Sequence, residues 1–95
     1  MPRQVRVEQR FFDRLDELLD EERGADGTPS RADFLFRELP AVIDALAEDF
    51  EGVTTFFDQE ASVIRVLITA GVLVEMMSIY AYLDDKTVVV VWLDF

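Results

Sequence analysis

The sequence contains no cysteine and no histidine among its 95 residues. Disulfide bonds and thiolate nucleophiles are therefore excluded, as are the commonest metal ligand and the commonest general base. We expect no metal site and no cofactor. The missing cysteines fit a reducing compartment, and the N-terminal residues lack the pattern of a secretory signal, so the expected location is the cytoplasm.

Basic residues are scarce in the second part of the chain. Residues 1–37 carry seven basic and nine acidic side chains, whereas residues 38–95 carry two basic and eleven acidic ones, and the net charge is −11. A surface of this sign repels phosphate backbones, so we expect no direct binding of nucleic acid. The acidity has two interpretations: it serves solubility alone, or it indicates a basic protein partner or mimicry of nucleic acid.

Long uninterrupted hydrophobic runs are also missing. The most apolar stretch, residues 61–83, contains Arg65 and Glu75, and only nine residues separate these two charges. A membrane-spanning helix needs roughly 20 apolar residues. We therefore expect no membrane segment.

Apolar residues nevertheless make up 51% of the chain, which is enough for one core and one domain, residues 1–95. The last third predicts three consecutive strands, at 63–69, 72–83 and 87–95, because branched apolar residues favour a pleated surface. Ala70-Gly71 and Asp84-Asp85-Lys86 are the expected turns, and a positive φ is the expected reason for the glycine.

Alternation along these strands assigns side chains to two faces. It places Ser78, Tyr80 and Tyr82 on one face of the second strand. In the third strand it groups Val88 and Val90 with Trp92, opposite Val89, Val91, Leu93 and Phe95. No strand has a wholly polar face, so part of the second face needs apolar cover from the chain itself or from a partner.

The N-terminal part predicts one strand and one helix. Residues 3–9 alternate polar and apolar side chains, which is typical of a half-buried strand. Residues 10–22 have a helical apolar stripe on one side and charges on the other, and Arg23-Gly24 is the expected helix end.

The middle of the chain predicts two helical pieces, 29–39 and 40–50, or one helix that is kinked at Pro40. The first piece begins either with Pro29 after Thr28 or with a capping box of Ser30 and Asp33. Residues 53–61 are expected to form a loop that one phenylalanine holds against the core.

This order of elements resembles the RelE/ParE family of bacterial toxin–antitoxin toxins. The similar segments are FLFRELPAVIDALAEDF (34–50), with its leucine–proline junction, and VIRVLITAG (63–71), followed by a strand, by DDK and by VVVVW (88–92). The resemblance implies an α+β fold. It consists of a small antiparallel sheet, made of the N-terminal strand and the C-terminal three-stranded meander, with two or three helices on one face.

The resemblance also implies a protein partner, since members of this family bind an antitoxin. The ribonuclease members carry several cationic residues and a tyrosine or histidine on the open sheet face, and here only Arg65 is at a corresponding strand position. Val72-Leu73 stands where an aromatic–arginine pair is common, and a basic C-terminal tail is missing. We therefore expect no catalytic residues, and a mode of action by binding, as in the branch that acts on gyrase.

Two alternatives stay open, together with a possible homodimer. One is a small acidic inhibitor or immunity-like protein that mimics nucleic acid. The other is a ribosome-dependent mRNA endoribonuclease, for which Arg65→Ala should abolish cleavage. In each protein-binding interpretation, the residues that we expect at the interface are Arg65, Glu75, Tyr80, Tyr82 and Trp92.

Overall fold

A computed structural model describes residues 2–57 and 63–95. The elements follow the chain as β1 (Gln4–Val7), α1 (Gln9–Leu18), α2 (Arg31–Asp33), a π-helical turn (Phe34–Glu38), α3 (Leu39–Val53), β2 (Thr55–Phe56), β3 (Arg65–Thr69), β4 (Met77–Asp84) and β5 (Thr87–Asp94). Within these residues, no helix is long and apolar enough to cross a bilayer.

The strands form one sheet in the order β1-β5-β4-β3-β2, and the helices pack on one of its faces. This confirms the α+β fold with helices on a single face. The sheet is mixed, however, because β1 pairs parallel to β5, whereas the other neighbours are antiparallel. Side chains alternate with a period of two in both kinds of pairing, so the sequence pattern does not reveal the direction of β1.

Helix α1 is shorter than its apolar stripe predicts. It ends at Leu18, and Leu19 is already extended, although its side chain is buried with Phe11 and Leu15. A contact from the next helix holds this end, because the guanidinium of Arg31 donates to the Leu19 carbonyl at 2.9 Å. Gly24 does not cap the helix, and its amide instead bonds the Thr28 carbonyl across a loop.

Residues 31–53 form one helical segment with a π-helical turn before Pro40 and a kink near its end, where Asp49 has a φ of −154° and a ψ of 64°. The capping box of Ser30 and Asp33 is present at its start. The Leu39 amide bonds the Phe34 carbonyl, five residues back, immediately before Pro40, which lacks an amide hydrogen. The helix therefore continues across Pro40, as in the one-helix alternative, with a π-helical turn at the position of the predicted kink.

The second strand of the meander begins at Met77, later than predicted. Residues 72–74 lie in the preceding loop, where the amides of Val72, Leu73 and Val74 donate to the carboxylate of Glu38 at 2.7, 3.2 and 3.2 Å. The φ of Gly71 is not positive. A Cβ at this glycine would collide with that carboxylate, so close approach is the reason for the glycine.

The segment predicted as a loop at 53–61 contains the short strand β2, and its residues 58–61 lie outside the described part of the chain. Neither phenylalanine enters the core, since Phe56 is 56% and Phe57 62% exposed. The third strand of the meander is confirmed. The turn before it has Asp85 at a φ of 57°.

Candidate functional site: the open face of the sheet

The sheet face opposite the helices is the candidate site, and we call it the open face. Register defines it, since Tyr80 pairs with both Val66 and Trp92, and Tyr82 pairs with Val89. The paired residues that point to the helices form the core instead: Leu67, Met77, Ile79, Ala81, Val88, Val90 and Leu93. The middle of the open face thus contains Val66, Ile68, Ser78, Tyr80, Tyr82, Val89 and Trp92.

A β-bulge in β5 decides which way Trp92 points. Val90 pairs with Ala81 and Trp92 pairs with Tyr80, so Val91 between them has no partner in β4. The extra residue reverses the alternation, and Leu93 instead of Trp92 joins the core. The predicted grouping of Trp92 with Val88 and Val90 is therefore wrong.

Aromatic rings cluster on this face. The Phe57 ring meets Tyr80 edge to face, with centroids 5.4 Å apart, and the Arg14 guanidinium lies 4.8 Å from the centre of the Trp92 ring. Between Phe57 and Trp92 is a hollow of about 350 Å³, which Arg10 and Ile64 also line. Large apolar surface is exposed on this face, at Phe57 (62%), Ile68 (61%) and Trp92 (38%).

Each arginine beside the open face lies near a carboxylate. Arg14 donates to Asp94 and to the Leu93 carbonyl, and the bond to Asp94 raises the pKa of Arg14. Arg10 is 2.8 Å from a Glu8 oxygen, and Arg6 is 3.8 Å from an Asp84 oxygen. The positive charge at this border is therefore compensated locally.

Arg65 lies on the other side of the sheet. It pairs with Ala81 in the core face, and its guanidinium donates to Thr54 Oγ1 at 2.7 Å and to the carbonyls of Thr54 and Glu51 at 2.9 and 3.2 Å. The Phe56 ring stacks 4.3 Å from it. These contacts give Arg65 a structural role where α3 joins β2.

Three of the five expected interface residues thus come together: Tyr80, Tyr82 and Trp92. Glu75 lies exposed in the loop before β4, and Arg65 lies behind the sheet. Reasoning from sequence missed Phe57 and Ile68 as parts of the surface. Alternation had placed Ile68 on a face with Val66, but it could not show which face the helices cover.

The described residues contain no group of three or more acidic, histidine or cysteine side chains arranged to hold a metal ion. Polar groups in the middle of the open face are the two tyrosine hydroxyls and Ser78. Toward its edges, register also places Thr55, Arg6, Asp84 and Asp94 on this face. Such a surface is suited to packing and hydrogen bonding with another protein.

The fold is similar to a solved structure, the toxin–antitoxin complex RelBE2 from Mycobacterium tuberculosis. The TM-score is 0.61 at 20% sequence identity, and the match covers 99% of this chain and 98% of that chain. No family model matches the sequence, and no curated protein matches it either. At this identity the likeness shows the fold alone: this chain shares the fold of the matched chain in that complex.

Proposed function

We propose that the chain is a toxin-like protein of the RelE/ParE type that acts by binding a protein partner and not by catalysis. The partner is an antitoxin, a cellular target such as gyrase, or both in turn. The observation that carries this proposal is the open face, where Tyr80, Tyr82 and Trp92 meet beside exposed Phe57 and Ile68. The likeness to a toxin–antitoxin complex supports it independently.

The composition of the open face supports binding to protein. Tyrosine and tryptophan are enriched among the residues that dominate binding energies, and large exposed apolar patches mark interaction surfaces. Acidic residues avoid these strands. Although the chain has 20 of them, only Asp84 and Asp94 lie on β3, β4 and β5, each at the end of a strand and beside an arginine.

The positions of the arginines support a mode of action without catalysis. Cleavage of a phosphodiester requires cations that stabilise the charge developing on phosphate. Arg10 and Arg14 are already paired with carboxylates at the border of the face, and Arg65 points away from it. A substrate phosphate would have to displace these contacts.

Inducible expression in a bacterial host tests the proposal, with growth, mRNA integrity and DNA supercoiling as readouts. We expect growth arrest without mRNA cleavage, and relief of the arrest by Trp92→Ala at unchanged soluble yield. Phe36→Ala is the matched control, because Phe36 is 81% exposed on the π-helical turn and should keep the arrest. Cleaved messages would refute the non-catalytic mechanism, and unimpaired growth at good expression would refute the toxin-like function.

A second candidate is the acidic inhibitor that mimics nucleic acid. It is favoured by α3, whose sequence contains four acidic residues and no basic one. In that case added salt would weaken binding to a basic protein steeply, and so would replacement of Asp44 and Glu48 by lysine. Trp92→Ala would leave this binding unchanged. Sedimentation of the purified chain would show whether a second copy covers the open face instead.

A further inference from the structure

The outer edge of β3 is only partly covered. β2 pairs with Arg65 and Val66 alone, and the Phe57 amide bonds the Ile64 carbonyl at 3.0 Å. In an antiparallel ladder, alternate residues direct both backbone groups to the same side, so Ile68 directs its amide and carbonyl outward, as Ile64 and Val66 do. In the described part of the chain, no strand pairs with Ile68 on that side. An edge of this kind is a template for an added strand.

An apolar groove lies next to this edge. It has a volume of about 220 Å³ and runs between α3, with Ala41, Ala45 and Val53, and β3, with Leu67 and Thr69. The two alanines are four residues apart and so share one side of the helix. Their small side chains leave space that a side chain of an added strand, pointing to the helix side, would fill.

Helical spacing places two acidic residues beside the groove. Asp44 and Glu48 follow Ala41 and Ala45 by three residues each, so they border the same side of α3, and both are exposed. The sequence of α3 contains no lysine or arginine. A segment that lies along this helix is therefore favoured if it carries positive charge.

We propose that the edge of β3 and this groove bind an extended segment of a protein partner, which adds a strand at Ile68. A large apolar side chain of the segment enters the groove, and flanking lysine or arginine residues contact Asp44 and Glu48. The site is separate from the aromatic cluster of the open face, and the inference rests on the proposed function only in taking the occupant to be a protein.

The test uses the 15N-labelled chain and a blocked hexapeptide that alternates leucine with lysine as the probe. We expect amide shift changes at Leu67–Thr69, Ala41 and Ala45, which weaken as salt is added. Ile68→Pro removes the outward amide hydrogen without removing a bond between β3 and β4, and it should weaken binding about tenfold or more. Ile68→Thr is the matched control, since it keeps the amide and changes the side chain on the open face.

Ala45→Phe provides a second variant, because it fills the groove from within. It should keep the fold and abolish the shifts, and it decides the matter if Ile68→Pro fails to fold. No shifts, shifts confined to Tyr80 and Trp92, or undiminished binding by Ala45→Phe would each overturn the proposal. Relief of growth arrest by Trp92→Ala is measured separately, so either proposal can fail alone.

Discussion

Replacing Glu38 by alanine should destabilise this protein more than replacement of any exposed acid. The Glu38 side chain is 2% exposed, and its two carboxylate oxygens accept the amides of Val72, Leu73 and Val74. These three donors have no strand partner, because β4 begins only at Met77. A single side chain on the π-helical turn thus holds three consecutive residues of the loop between β3 and β4.

The magnitude follows from two opposing contributions. Hydrogen bonds to a charged group contribute about 1.5–3 kcal/mol each, and burying a carboxylate costs several kcal/mol. In the Glu38→Ala variant the loop amides regain water once the loop opens, so we expect a net loss of about 3 kcal/mol in the free energy of unfolding. For a domain of this size, that lowers the Tm by about 12–24 °C.

Denaturation in urea, followed by circular dichroism, measures the loss. Glu48→Ala is the matched control, because Glu48 is exposed on α3 and should change the unfolding free energy by no more than about 0.5 kcal/mol. A loss below about 1 kcal/mol in Glu38→Ala would show that the carboxylate does not hold the loop.

Gly71→Ala tests the same contact from the other side. A Cβ at position 71 would collide with the Glu38 carboxylate and lie 2.7 Å from Met77 Cε, so the loop or the carboxylate must move. Since both variants break one interaction, the double variant should lose clearly less stability than the sum of the two single losses. Additive losses would contradict this interpretation.

Three further predictions concern other sites. The hydrogen bond from Arg23 lowers the pKa of Asp33 in the folded protein. The ionised Asp33 therefore contributes its full stabilisation above the unfolded pKa of about 4, and this stabilisation is lost as the pH falls further. The Tm difference between wild type and Asp33→Asn should accordingly narrow below about pH 4. Arg65→Ala should cost about 1–2 kcal/mol of stability in chemical denaturation, whereas Arg37→Ala, at an exposed position, should cost almost nothing. Trp92 is the single tryptophan, so its fluorescence emission should shift to the blue when a partner covers the open face.

Each of these predictions has a contrary outcome. If the Tm difference between wild type and Asp33→Asn stays constant down to pH 2, the folded protein does not specifically stabilise the ionised form of Asp33. Equal stability of Arg65→Ala and Arg37→Ala would remove the structural role of Arg65. Partner binding without any change in Trp92 emission would place the interface elsewhere.

Local signals in the sequence determined the elements of this fold. The capping box of Ser30 and Asp33 starts the helical segment, Pro40 marks its π-helical turn, and the branched residues of the last third form the meander. Alternation also placed Tyr80 and Tyr82 on one face. These features depend on residues within one helical turn or one strand of each other, so a sequence pattern is sufficient to find them.

Contacts between distant residues decided the rest. The bulge at Val91 turned Trp92 toward Tyr80, and a shift of one residue is enough to exchange the two faces of a strand. Glu38 reaches a loop 34 residues away, and Arg65 turns to Thr54 behind the sheet. Sequence composition by itself determined that this chain has an acidic surface and an unusually apolar sheet. Only tertiary packing determined which aromatic residues share the open face, because side-chain direction depends on register and on which face the helices cover.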